Sequence, residues 1–314
     1  MTTVVFGERA ARDKIISSLD YLKRMNDFRP NIKLIVARGT TARNLVQIPQ
    51  QLNPSIGMEL QAYSKTTRFS PGAMFNDVSQ FTEALISNTQ DPYTGAMELA
   101  GHKGIDLVEP TAQALDVEQK ASSFDGKRLG GLIIGQTAVF KGSRLVGFLN
   151  KKQTRGLLSI NGKLKQDIVS VGCGGRDRGA VTLNITRLKS EYAPRLGGKT
   201  PAMDVNIHVT AEAKDITCSN YRLNTRSIAE LNKELANTIA DDAIDAVELA
   251  KNQWQTDIFA FGKAIYQKDP QKWEKLAPKW RKGVLKAMPV HVAVTANISR
   301  FGLFKDPMKA NEAN

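Results

Sequence analysis

Three histidines, His102, His208 and His291, are the chain's only imidazoles, and they are far apart. A zinc or acid–base site needs ligands that converge, and neither CxxC nor clustered carboxylates accompany any of them. His208 and His291 fall on the polar phase of alternating runs, which places them on wet strand faces. Asp241, Asp242 and Asp245 could serve a divalent cation only if other oxygens joined them. On a helix opposite an apolar stripe they read as a solvated face. "GCGGRDRG" (Gly172–Gly179) could cradle an anion, but no helix N-terminus follows to complete a phosphate site, so it reads as a loop between strands. GxSxG, HExxH, GxGxxG and Walker A patterns are absent. The residues therefore call for no cofactor, no metal and no enzymatic template.

A different chemistry is offered by "TDIFAFGKAIYQKDPQKWEKLAPKWRKG" (Thr256–Gly283), which carries two of the three tryptophans. Lys268, Lys272, Lys275, Lys279, Arg281 and Lys282 surround them, opposed only by Asp269 and Glu274. Cations beside indole rings suit a lipid headgroup region, a phosphate polymer or a protein partner. Trp273, Leu276, Trp280 and Val284 can share one face of two short helices, with Pro278 opening the second. The rings are expected to pack on a sheet, leaving the cations outside. The candidate partner or lipid interface is Lys268, Lys272, Trp273, Lys275, Lys279, Trp280, Arg281 and Lys282. The formal charge of +13 also draws the protein toward anionic surfaces. RNP1, zinc-finger and KH signatures are missing and aromatics are 7% of the chain, so nucleic acid is the alternative rather than the expected partner. An enzyme with an unrecognised site is a more distant alternative.

These residues need elements to position them. The 314 residues suffice for two ordinary domains. Val4–Phe6, a helix to about Asn26, "IKLIVARG" and a short helix capped by Thr40 or Thr41 form a strand–helix–strand–helix opening. Helices are expected near Met58–Thr67 and Met74–Ser87. The turn-rich stretch from Asn88 to Gly131 reads as the connection between domains. Then "LIIGQTAVF" and "RLVGFLN" flank a tight turn, and "GLLSIN", "DIVSVGC", "AVTLNITRLKSEY" and "MDVNIHVTAEAKDI" follow, predicting an antiparallel sheet. Ser227 and Glu230 form a capping box opening a helix whose stripe runs Ile228, Leu231, Leu235, Ile239, Ala243, Val247, Ala250 and Trp254. Val290–Ile298 returns as a strand. The fold class is α+β, with an N-terminal α/β domain over 1–125 and a mainly antiparallel domain with one long packed helix over 131–305. Cys173 and Cys218 each read as a small buried hydrophobe, with a disulfide possible only if their strands are neighbours. No apolar run reaches the ~18 residues of a membrane span.

The segment "KNQWQTDIFAFGKAIYQKDPQKWEKLAPKWRKG", followed by "PVHVAVTANISRFG", resembles the C-terminal signature of the C subunits of spore germinant receptors, the Ger(x)C family. "GQTAVFKGSRLVGFLNKKQTRGLLSING" resembles the opening of the same domain, and "VVFGERAAR" with "NIKLIVARGTTARNLV" resembles the family's N-terminal domain. The resemblance implies a non-enzymatic lipoprotein scaffold in spore germination. Its location would be the outer face of the spore inner membrane, its partners the receptor's A and B membrane subunits and the anionic membrane surface. The family's signal peptide and lipobox cysteine have no counterpart here. Met1 stands almost at the "VVFGE" position, which implies an N-terminally incomplete member with Val4–Phe6 left in an underpartnered sheet.

Overall fold

The computed structural model describes residues 2–25, 29–47, 57–58, 60, 62, 74–99, 128–129, 132–172, 179–198, 200–218 and 224–301. They form two compact units that are not contiguous in sequence. The first lies within Met1–Thr67, Pro71–Thr154 and Glu248–Ala287, the second mainly within Arg155–Val247 and Met288–Asn314. The division into 1–125 and 131–305 is one of sequence segments; packing groups the chain differently, because Glu248–Ala287 folds with the N-terminal strands.

The first unit is built on a mixed sheet of β1 (Thr3–Gly7), β2 (Lys33–Arg38), β3 (Tyr93–Leu99), β4 (Arg128–Leu129), β5 (Leu132–Lys141) and β6 (Arg144–Leu149). Its order is β1-β2-β3-β5-β4, with β6 also paired to β5. The first three strands are parallel and the later pairings antiparallel. Val5, Ile35, Gly95, Thr137 and Leu149 make one register row across it. Both faces of β2 are covered, which is why "LIVA" (Leu34–Ala37) reads as an unbroken apolar run. Leu34 and Val36 join Phe6, Leu19, Phe81 and Phe140 on one side. Ile35 and Ala37 join Leu45, Phe75 and Met97 on the other. β1 is an edge strand, paired to β2.

Several expected elements change. The opening helix is two, Glu8–Asp13 and Ile16–Lys23, because Lys14 is extended. Thr41, not Thr40, caps the helix Ala42–Val46. Val78–Ile86 forms as expected, under a complete Asp77–Gln80 capping box. The proposed Met58–Thr67 helix lies largely outside the described residues. The turn-rich stretch from Asn88 is not only a connection: it holds β3, a central strand with Tyr93–Met97 buried. Its Asp-Pro and Gly residues mimic turn signals, but a side chain at Gly95 would collide with the Phe75 ring. The hairpin around Gly142 (φ 58°) belongs to this sheet rather than opening the next.

The second unit carries β7 (Asp167–Gly172), β8 (Ala180–Arg195), β9 (Ala202–Ile216) and β10 (Val290–Phe301), in the order β10-β9-β8-β7. β7, β8 and β9 are antiparallel neighbours. β10 is parallel to β9, as a long helical crossover permits and a hairpin would not. Val205, Ile207 and Val209 are buried while Asn206 and His208 are exposed. "GLLSIN" is not a strand but the end of the helix Lys151–Ile160. Asn150 and Gln153 start that helix by exchanging side-chain-to-backbone bonds of 3.0 Å each. The long helix runs Thr225–Glu248 and buries Leu231, Leu235, Ile239, Ala243 and Val247 as expected. Its cap is one turn earlier than Ser227. The Asn224 carboxamide accepts from Ser227 N–H at 3.0 Å, and Ser227 Oγ accepts from Asn224 N–H at 2.8 Å. Cys218 is buried and disulfide-bonded rather than a plain thiol; Cys173 lies outside the described residues.

Candidate interaction surface

After the long helix the backbone loosens into a π turn, Leu249–Trp254, and Gln255 takes a left-handed conformation (φ 53°). Five residues on, Ala260 does the same (φ 60°). Non-glycine residues in this region carry strain of about 1 kcal/mol or more, which surrounding contacts must offset. Asp257, between them, supplies those contacts. Its carboxylate accepts from Phe261 N–H at 3.0 Å and Gly262 N–H at 2.7 Å, opening the helix Phe261–Lys268. It also accepts from the Trp280 indole at 3.1 Å. The chain then turns at Asp269, which caps Pro270–Leu276 through Lys272 N–H at 2.9 Å. A 3₁₀ turn over Ala277–Lys282 and the helix Val284–Ala287 complete the segment.

Trp273 and Trp280 meet edge to face, ring centroids 5.2 Å apart, and both are buried. They pack inside the first unit, not on the antiparallel sheet of the second as the sequence suggested. Gly262 is required here, because the Trp273 ring occupies the space of its missing Cβ. The segment Thr256–Gly283 is therefore the anchored rim of a core.

A second carboxylate completes the anchor. Asp91 and Asp257 exchange backbone bonds: Asp91 N–H donates to the Asp257 carbonyl, and Asp257 N–H to Asp91 Oδ2, both at 2.8 Å. Asp91 also accepts from Gly142 N–H at 3.2 Å and from Arg281 Nε at 2.9 Å. Arg281 further donates to the Gln90 carbonyl at 2.8 Å. Burial pushes the Asp257 carboxyl up to about 6, and the charge of Asp91 adds to this, against the three donated hydrogen bonds. Arg281 ties its own segment to Gln90 and Asp91 and is not a free surface cation.

What faces outward is a set of lysines. Lys268, Lys275, Lys279 and Lys282 are exposed and Lys272 is half-buried. Of the eight candidate interface residues, Trp273 and Trp280 thus lie buried, Arg281 is bonded to the Gln90–Asp91 segment that precedes β3, and Lys268, Lys275, Lys279 and Lys282 are exposed. Sequence reasoning missed Asp91 and Asp257. The available signal was an acid directly after Gln-Thr in an apolar segment, and a second in "DPY", where no solvated acid is needed.

A second buried ion cluster lies in the second unit. Arg155 reaches Asp242 through Nε and Asp167 at 3.2 Å, with all three side chains buried. Burial opposes the guanidinium's charge, but the two carboxylates outweigh it and raise its pKa above the ordinary value. Asp242 therefore leaves the expected solvated Asp241–Asp245 face, on which Asp241 and Asp245 are exposed. His208 stays exposed, its Nδ1 2.5 Å from Thr295 Oγ1, and His291 is exposed. His102 and most of the Gly172–Gly179 loop lie outside the described residues. Among the described residues no group of three or more His, Cys, Asp or Glu could hold a metal, and no helix is long and apolar enough to cross a membrane.

Comparison with known proteins fits this arrangement. Residues 1–99 match the model of the spore germination protein N-terminal domain. Residues 135–302 match that of the spore germination B3/GerAC-like C-terminal domain. Spore germination protein KC of Bacillus subtilis (strain 168) is 24% identical over 314 residues, 98% of this chain and 73% of that protein. Spore germination protein YndF of the same organism is 22% identical over 169 residues, 52% of this chain and 40% of that protein. The crystal structure of the GerBC protein superposes with a TM-score of 0.65 at 15% identity, covering 95% of this chain and 78% of that one. With both of its halves matched in chain order, the chain belongs to the spore germination B3/GerAC-like family.

Proposed function

We propose that the protein is a non-enzymatic C subunit of a germinant receptor, a scaffold apposed to the spore inner membrane on its outer face. Its family's lipid anchor, its A and B membrane subunits and an anionic bilayer are the expected attachments. The carrying observation is the lysine set Lys268, Lys272, Lys275, Lys279 and Lys282 on a segment immobilised by the Asp91–Asp257–Arg281 anchor. A rigid cationic face suits anionic lipid, where each Lys or Arg near the surface contributes about 1 kcal/mol. It also suits an acidic partner surface, because its orientation is fixed before contact.

Reversal of Lys268, Lys275, Lys279 and Lys282 to Glu tests this. Exposed substitutions cost within about 0.5 kcal/mol each, so the fold is retained. Binding to vesicles containing anionic lipid should fall, and spores carrying the variant should respond slowly to nutrients while germinating normally with agents that bypass the receptor. Wild-type vesicle binding together with a wild-type nutrient response would remove this face from the function. Binding of DNA or RNA that collapses with added salt would favour the nucleic-acid reading instead.

A further inference from the structure

Beside the lysine face, and wholly within the first unit, lies a cleft of about 650 Å³ lined by residues 83–90 and 263–278. Its wall carries two carboxylates, Glu83 and Glu274, and one ammonium, Lys263. All three are exposed, so they are free to meet a ligand without first breaking a core. Two rings, Tyr266 and Trp273, supply the apolar part, and the segment Ser87–Gln90 supplies hydroxyl and amide groups. Trp273 adds an independent observation. Its ring lines the cleft, yet its indole N–H is buried with no hydrogen-bond partner among the described residues. A buried donor left unpaired is costly, and the other tryptophan of the pair spends its N–H on Asp257.

From this lining we infer that the cleft is a binding site for a short zwitterionic peptide of two or three residues, bearing a free amino and a free carboxyl end. The chemistry selects among ligand classes. A polyanion would meet two carboxylates, and a polyamine would meet Lys263. A molecule with one charge of each sign answers both, its ammonium on Glu83 or Glu274 and against a ring face, its carboxylate on Lys263. Its peptide groups answer the hydroxyl and amide groups of Ser87–Gln90. The volume lies in the range of clefts that enclose drug-sized molecules, larger than a single amino acid fills. The site is distinct from the lysine face and stands whether or not that face meets a membrane.

The test uses alanylphenylalanine with the intact protein, monitoring indole N–H resonances by NMR, with Trp273→Phe assigning the Trp273 signal. At about 10 mM peptide, tenfold above a 1 mM dissociation constant, the Trp273 resonance should shift while those of Trp254 and Trp280 move less. The N-acetylated and the C-amidated peptides should each bind at least about tenfold more weakly, one charge contact being lost. Glu83→Gln with Glu274→Gln should abolish the penalty for N-acetylation but not that for amidation, and Lys263→Gln the reverse. All three are exposed side chains, so folding is not at issue. No shift at 10 mM, or equal binding of free and capped peptides, overturns the inference. Loss of vesicle binding in the lysine-reversal variant with peptide binding intact would separate the two sites.

Discussion

Each unit sets one arginine against two buried aspartates, but the two clusters balance charge differently. In the second unit Arg155 stands between Asp167 and Asp242 and answers both carboxylates directly. In the first unit Arg281 answers Asp91 alone, and Asp257 is held by two backbone N–H groups and an indole. The first arrangement is a charge-satisfied joint. It links the helix Lys151–Ile160, the start of β7 and the long helix, where a side chain at Gly156 would strike the backbone of Asp242. The second is a joint whose carboxylate is favoured by donors and opposed by burial, and that opposition leaves it sensitive to protons. Polar groups alone do not set the character of a buried cluster; the placement of the countercharge does.

The largest effect expected from this contrast is at Arg155. Arg155→Met removes the shared countercharge and strands two buried carboxylates, which should cost about 3–5 kcal/mol. All three tryptophans, Trp254, Trp273 and Trp280, lie in the first unit, so fluorescence reports that unit while far-UV circular dichroism reports both. The Arg155 variant should lower the denaturation midpoint seen by circular dichroism well before the fluorescence midpoint. Equal displacement of both would show that the units unfold as one and that the clusters are not independent.

Asp257→Ala should come next, at about 2–3 kcal/mol. Three buried donors lose their acceptor, each an appreciable penalty, while removal of a desolvated charge returns part of that cost. Here the fluorescence midpoint should move first. The variant should also free Gln255 and Ala260 from their left-handed conformations, visible as faster amide exchange across 255–262. Unchanged protection there would assign the turn to the tryptophan packing alone.

Why these joints escaped the sequence is a matter of what periodicity can carry. The stripe Leu231–Val247, the alternation Val205–Val209 and the run at β2 were legible, because burial on one face or both leaves a period in the residues themselves. β3 was not, since Asp91, Pro92 and Gly95 are turn formers in isolation and core residues only against Phe75 and β5. Nor was the membership of Glu248–Ala287, because an apolar helix face does not name its partner. Asp257 was invisible for a related reason: acids in a Lys-rich segment read as solvated, and only the fold shows which one turns inward. The lysines of the surface were legible one by one, but not their separation from Arg281.

The proton sensitivity of the Asp257 joint gives a smaller effect, with a definite sign. The folded-state pKa of Asp257, about 6, lies above its ordinary value of 3.8. Its contribution to stability is therefore complete below about pH 4 and lost as pH rises through 6. A folded-state value near 6 in place of 3.8 corresponds to a loss on the order of 1–3 kcal/mol. Stability of the fluorescence transition should decline between pH 4 and pH 6.5 relative to the second unit, and Asp257→Asn should flatten that decline. A slope that persists in the Asn variant belongs to other groups.

The smallest effect tests how each unit starts its helices. The long helix of the second unit opens on a reciprocal pair, with Asn224 as the cap and Ser227 three residues inside it. Asn224→Ala removes the acceptor for Ser227 N–H, a loss of about 1 kcal/mol by the usual value of an N-cap. Ser227→Ala removes the returning bond to Asn224 N–H and the hydroxyl's own bond to the Asn224 carbonyl, but both backbone groups belong to an exposed residue that water can reach, so its cost should be about half as large. The order of the two, read from circular dichroism midpoints with the fluorescence transition unmoved, separates the observed cap from the one that the Ser227–Glu230 spacing suggests. A larger loss at Ser227 would restore the serine as the cap. The reciprocal geometry argues for the asparagine, because its carboxamide receives the Ser227 N–H, one of the first-turn donors that have no partner within the helix.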